Sequence, residues 1–197
     1  MHRFWDERYA EEGVYGREPG PFWVEQLAFC KGNRVLLPCE GEGRNAVWAA
    51  QHGWTVDAFD GSRVAVETCK RWASAAGVEV QAFHSDAFEF TGHADGYDVV
   101  GLFYAHMPPD LRADFHARAA RWLKPGGTLI LEGFNPQQIN RDSGGPSNPE
   151  MLFSESMLRS DFSNLAIQHL ATRLVELNEG PYHQGPAEII RMVASRS

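Results

Sequence analysis

Between residues 34 and 134 the chain repeats one phrase: a short apolar run, a turn built on glycine, then a stretch with helical spacing. Residues 34–38 (RVLLP) read as a buried strand, and after the turn CEGEG, residues 44–52 (RNAVWAAQH) read as a helix closed by Gly53. Residues 55–60 (TVDAFD) form the next strand, and Ser62 caps a helix to about Ala76, stopped by Gly77. Residues 78–83 (VEVQAF) alternate as a third strand, while 97–104 (YDVVGLFY) are nearly all apolar, as in a strand covered on both faces. Pro109 opens a helix through Leu123, and Lys124-Pro125-Gly126-Gly127 turns the chain into a strand at 128–134. Strand and helix alternating across short loops predict a doubly wound α/β sheet with parallel strands.

Beyond Phe134 the phrase changes. A Gly/Pro-rich patch at 142–149 precedes a short helix near 155–162, and two extended runs follow at 165–179 and 187–194. Their connection, Gly180-Pro181-Tyr182-His183-Gln184-Gly185-Pro186, is too short for a helical crossover, so the two strands pair antiparallel. The chain of 197 residues reads as one domain. Residues 1–30 form an aromatic-rich N-terminal cap, 31–135 the core sheet, and 136–197 the segment that completes it.

Charge and composition exclude several functions. Lys and Arg number 18 against 26 Asp and Glu, a net charge of −8, which disfavours nucleic acid and anionic membranes. The longest clean apolar run, 99–105, falls far short of the roughly 18 residues of a membrane span. The N-terminus MHRFWDER is broken by charge and is not a secretory signal. Cys30, Cys39 and Cys69 have no metal-ligand spacing and fit a reduced cytoplasmic setting. The eight histidines are scattered, so no metal site is expected; the oligomeric state stays open.

The chemistry concentrates in Cys39-Glu40-Gly41-Glu42-Gly43-Arg44-Asn45-Ala46. Two alternate glycines between a strand and a helix let backbone amides approach a ligand at the carboxyl edge of the sheet. Asp60 stands 17 residues beyond Gly43, at the end of the second strand, where an acid accepts both hydroxyls of a ribose. Asp86 follows the third strand, where a carboxylate can accept an adenine amino group. Taken alone, the glycine turn is shared by nicotinamide and sulfonium cofactors, and two glycines also make a plain tight turn. Glu42 reads as an exposed polar filler.

The order of glycine turn, second-strand acid, third-strand acid, Lys-Pro-Gly-Gly turn and closing antiparallel pair resembles the class I S-adenosylmethionine-dependent methyltransferases. Phe4-Trp5-Asp6-Glu7-Arg8-Tyr9, Tyr15-Gly16-Arg17-Glu18-Pro19 and Gly41-Glu42-Gly43-Arg44-Asn45-Ala46-Val47 are similar to the tellurite-resistance and thiopurine methyltransferase-like branch. The resemblance implies a Rossmann-like seven-stranded sheet, S-adenosylmethionine as cofactor, and methyl transfer to a small-molecule acceptor such as a thiol, a thiopurine or a chalcogen oxyanion like tellurite. It implies cofactor contacts from Trp5, Tyr15, Glu40, Gly41, Gly43, Asn45, Asp60, Gly61, Asp86, Ala87 and Phe103. His106, just past the fourth strand, and His183, in the final turn, are the candidates to deprotonate a thiol or orient an anion. Arg17 and Arg141 are further candidates to draw in an anion. The chain departs from the family pattern where Leu37 replaces an acid and Pro38, Cys39 and Glu40 replace small residues; Glu40 is the candidate to take over that acid's role. A non-catalytic S-adenosylmethionine-binding protein is the alternative. A nicotinamide-dependent oxidoreductase is a weaker one, since the chain has no Tyr-x-x-x-Lys pair.

Overall fold

The computed structural model describes residues 2–93 and 96–197. Two short helices open the chain, α1 (His2–Arg8) and α2 (Pro21–Leu27). Then come β1 (Arg34–Pro38), α3 (Arg44–Gln51), β2 (Thr55–Asp60), α4 (Arg63–Ala75), β3 (Gln81–His84), β4 (Tyr97–Phe103) and α5 (Pro109–Trp122). The chain finishes with β5 (Leu123–Phe134), α6 (Glu155–Asp161), β6 (Ala166–Asn178) and β7 (Gln184–Ser195). The seven strands form one sheet in the order β3-β2-β1-β4-β5-β7-β6. The first five strands pair parallel, and β7 runs antiparallel to both β5 and β6.

Period-two alternation divides each central strand between two cores. Leu36 packs with Phe115, Ala119, Leu158 and Phe162 of α5 and the α6 region. Its neighbours Val35 and Leu37 pack on the other face with Trp23, Ala46, Ala49 and Cys69 from α2, α3 and α4. Each fully buried Leu, Val or Phe contributes about 1.5–3 kcal/mol of transfer free energy, so strands covered on both faces anchor the molecule. Among the described residues no helix is long and apolar enough to cross a membrane.

Three elements differ from the sequence expectation, one of them β7, which starts at Gln184 inside the expected connection and pairs there with the end of β6. β3 begins at Gln81 rather than at residue 78. The amide of Val78 donates to the Ala73 carbonyl, so residues following Gly77 close the end of α4 before the strand can start. β5 is longer than expected, because the Lys-Pro-Gly-Gly segment is extended and bulged rather than a separate turn. Its register against β4 jumps from Tyr97↔Leu123 to Val99↔Thr128, which absorbs that segment.

Candidate functional site

The chain leaves β1 toward one edge of the sheet and returns to build the other edge from β4, so the crevice between β1 and β4 is the topological switch point. The loop after β1 enters that crevice with left-handed backbone at three alternate positions, Cys39 (φ 54°), Gly41 (φ 64°) and Gly43 (φ 91°). Glycine adopts this conformation freely, whereas Cys39 holds it at an energetic cost. Asp60 anchors the loop by accepting the amides of Gly41 at 2.9 Å and Ser62 at 2.8 Å. Leu37 lies fully in the core. Glu40 instead sits in the loop, where its Oε1 accepts the amides of Asn45 (2.8 Å) and Ala46 (2.9 Å) in the first turn of α3. Burial pushes the Glu40 carboxyl up to about 7, against the pull of those amides and of Arg44.

The N-terminal cap lies directly on this loop. A Cβ at Gly41 would stand 2.5 Å from the Tyr9 hydroxyl, so glycine is required for the approach. Trp5 stacks on Tyr9 at 5.9 Å, and Tyr15 meets Tyr9 edge-on at 5.8 Å. Asp6 of α1 accepts the Ser62 hydroxyl at 2.6 Å. Glu42 is not the exposed filler its sequence suggests. It is buried and its Oε1 accepts the Gly13 amide at 2.8 Å, because the cap folds over a position that local sequence would leave in water.

The expected cofactor residues divide into two groups. Glu40, Gly41, Gly43 and Asp60 are gathered at the loop, with Gly61 directly after Asp60 and its carbonyl 3.2 Å from His84 Nε2. Trp5 and Tyr15 meet through Tyr9 above them. Asp86 Oδ1 accepts the Phe88 amide at 2.8 Å, which holds its carboxylate beyond the end of β3. Asn45, by contrast, is buried and accepts the Gly20 amide at 2.9 Å, while its own carbonyl receives the Trp23 indole. Its side chain ties the cap to α3. Ala87 lies in the α5 core, and Phe103 packs edge-on against buried Trp23 at 5.4 Å.

The two histidines are placed very differently. His106 uses both ring nitrogens inside the fold, with Nδ1 donating to the Met151 carbonyl at 2.7 Å and Nε2 accepting the Phe134 amide at 3.0 Å. Burial brings it down to about 4, so it is a neutral latch. His183 is buried against the rings of Tyr104 (4.5 Å), Tyr15 (4.7 Å) and Phe134 (5.3 Å). Tyr104 itself is left-handed (φ 53°) at the carboxyl end of β4, and strain of this kind gathers at functional sites. Its hydroxyl donates to Glu132, which also receives Arg191.

Sequence reading did not single out Glu132, Arg191 or Glu179. An acid inside the apolar run TLILEGF was the available signal for Glu132. Glu179 had only its spacing of four from His183 across a Gly-Pro turn. Arg17 and Arg141 are paired with Glu12 and Glu188.

Residues 35–127 match the methyltransferase domain family. A thiopurine S-methyltransferase of Pseudomonas putida (strain GB-1) is 27% identical over 169 residues, covering 73% of this chain and 75% of the relative. The domain match and this relative support a class I S-adenosylmethionine-dependent methyltransferase. Another thiopurine S-methyltransferase, from Vibrio cholerae serotype O1 (strain M66-2), is 23% identical over 187 residues, covering 85% of this chain and 83% of the relative. The methyltransferase fold is shared with TehB from Haemophilus influenzae, at a TM-score of 0.74 and 13% identity over 100% of this chain and 67% of that one. It is also shared with a structure reported for conversion of a disulfide bond into a thioacetal group during echinomycin biosynthesis. There the TM-score is 0.82 with 20% identity, over 100% of this chain and 92% of that one.

S-adenosylmethionine is the cofactor of this methyltransferase, and the residues at the switch point suit it. Gly41 and Gly43 give the loop its left-handed turns under Tyr9 and against Cys69, and carboxylates stand at the ends of β2 (Asp60) and β3 (Asp86).

Proposed function

We propose that this methyltransferase acts on the sulfur of a small thiol, thiopurines included, in a reduced cytoplasmic setting that its three free cysteines favour. The observation that carries this reading is His183. Its Nδ1 faces the Glu179 carboxylate, and its Nε2 has no hydrogen-bond partner among the described residues, within walls of Tyr15, Tyr104 and Phe134. When bound, S-adenosylmethionine supplies an electrophilic methyl group on a sulfonium, so the protein contributes position, desolvation and electrostatics.

The glycine loop with Asp60 and Asp86 holds the nucleoside part. His183 Nε2 would take the proton as the acceptor S–H bond breaks, and the sulfur would form the new C–S bond as the methyl–sulfonium bond breaks and S-adenosylhomocysteine leaves. His106 takes no part in proton transfer, since neither ring nitrogen is free. The rings of Tyr15 and Tyr104 would offer negative quadrupole to the departing sulfonium charge, worth roughly 0.5–2 kcal/mol for each ring. The sulfur chemistry named for the thiopurine relatives supports the acceptor class.

The test is S-adenosylhomocysteine release over a panel of alkyl thiols, aryl thiols, thiopurines, selenite and tellurite. Turnover of a thiol that falls about 100-fold in H183N supports the reading, in line with the usual contribution of a general base. Turnover of oxyanions alone, or cofactor binding with no turnover of any acceptor, overturns it.

A further inference from the structure

Arg44, Glu179 and His183 form a hydrogen-bonded line that joins the cofactor loop to the wall of the proposed acceptor pocket. Arg44 opens α3 immediately after Gly43. Its Nη1 donates to the Tyr15 carbonyl at 3.0 Å, and its Nη2 donates to Glu179 Oε2 at 2.9 Å. The same oxygen lies 3.3 Å from His183 Nδ1. The side chains of Arg44, Glu179 and His183 are only 10%, 12% and 7% exposed, so these contacts act with little screening by water.

An ionised carboxylate only accepts hydrogen bonds. Burial alone would raise the Glu179 carboxyl, but the bonds from His183 and Arg44 outweigh it and hold it below the ordinary range, so it is ionised. His183 Nδ1 therefore carries the ring proton and the lone pair is on Nε2. The opposite tautomer would put a hydrogen where the acceptor's proton has to arrive. Burial lowers the His183 pKa, with Glu179 opposing and Arg44 and Arg8 assisting. The other groups facing the ring are Tyr15, Tyr104 and, from behind Phe134, the neutral His106.

We propose that Glu179, clamped by Arg44, is the positioning residue that fixes the tautomer and ring orientation of His183 for a protonated thiol acceptor. This rests on the reading of His183 as proton acceptor. It also explains why a guanidinium follows the glycine loop directly: the segment that holds the cofactor then sets the geometry of the base. The proton moves from sulfur to Nε2, and Glu179 stays ionised throughout, stabilising the imidazolium that forms.

The experiment follows the ring nitrogens of His183 by two-bond proton–nitrogen NMR in the full chain, from pH 5 to 9, in wild type, E179Q and E179D. Wild type and E179D should show the Nδ1–H tautomer. E179Q should lose it, with the titration midpoint lower by about one unit once the carboxylate's charge is gone. In turnover, E179Q should lose about 10- to 100-fold in kcat on an alkyl thiol that is protonated at the assay pH, while an aryl thiol already ionised at that pH changes by less than about threefold. A folded E179Q in which His183 keeps both tautomer and midpoint overturns the inference, as does equal loss on both acceptors. Where E179Q does not fold, R44K carries the test, since it keeps the charge but gives up the two-point hold on Tyr15 and Glu179. A partial loss of the Nδ1–H tautomer supports the inference and an unchanged ring overturns it. If wild type methylates no thiol, the proposed function fails while the tautomer measurement still decides this relationship.

Discussion

Asp60 Oδ2 accepts the Gly41 amide at 2.9 Å, so the acid at the end of β2 holds the glycine loop in shape from the neighbouring strand. Its other oxygen receives Ser62, the residue that caps α4, at 2.8 Å. One carboxylate thus fixes both connections on that side of the switch point.

Replacing Asp60 with Ala should therefore act twice. S-adenosylhomocysteine affinity, measured by titration calorimetry, should fall by about 1.5–3 kcal/mol, the usual loss for hydrogen bonds to a charged group. The unfolding midpoint in urea should fall too, because two loop amides lose their acceptor. Unchanged affinity would show that the ribose is held by other groups.

Gly43 carries a stricter demand. A Cβ there would lie 2.3 Å from Cys69 Sγ and 3.3 Å from Cys69 Cα, at a φ of 91°. Gly43→Val should therefore destabilise the fold as well as block the cofactor, with a large drop in Tm by calorimetry. Adding Cys69→Ala should restore part of the loss and not all, because the left-handed backbone penalty stays.

Acid stability should report His106. Its folded pKa of about 4 lies below the ordinary histidine value near 6.5, so the neutral ring is favoured in the folded state. Its contribution is fully present above pH 6.5 and is lost as pH falls from there toward 4, at most about 3 kcal/mol by linkage. H106Q cannot titrate, so its urea-derived stability should be lower at pH 7 and should lack that part of the slope between pH 6.5 and 4. Parallel slopes in the two proteins would show that another group titrates there.

Glu42 holds a buried Oε2 without a hydrogen-bond partner while its Oε1 serves Gly13. Burial raises its carboxyl, so the folded state resists its ionisation and loses stability as pH rises above the unfolded value near 4.5. E42Q keeps the acceptor for Gly13 and removes the charge. Its Tm should exceed that of wild type at pH 7, and the gap should close as pH drops to 4. A lower Tm at pH 7 would mean that the charge is compensated.

Much of this molecule was legible in local pattern. The alternation of apolar runs with glycine-stopped helical stretches predicts the parallel core and the closing antiparallel pair, because a strand covered on both faces and an amphipathic helix differ in period within a few residues. The glycine turn and the acids at 60 and 86 were readable for the same reason, since each lies at the carboxyl end of a strand the pattern already marks.

Which polar side chains meet is a different matter. His106 and His183 look alike in sequence as loop histidines, yet one is spent on Met151 and Phe134 and the other presents Nε2 among aromatic rings. Arg44 and Glu179 stand 135 positions apart and meet only because the turn after β6 is carried back over the start of α3. Periodicity is set by neighbours along the chain, so sequence alone determined the layers and the place of the glycine loop at the end of β1. Hydrogen-bond partners at the carboxyl edge depend on strand order and on where the cap lands. Tertiary structure alone therefore decided that Glu42 is buried, that Asn45 ties down the cap, and that His183 is set against Glu179 among the rings of Tyr15, Tyr104 and Phe134.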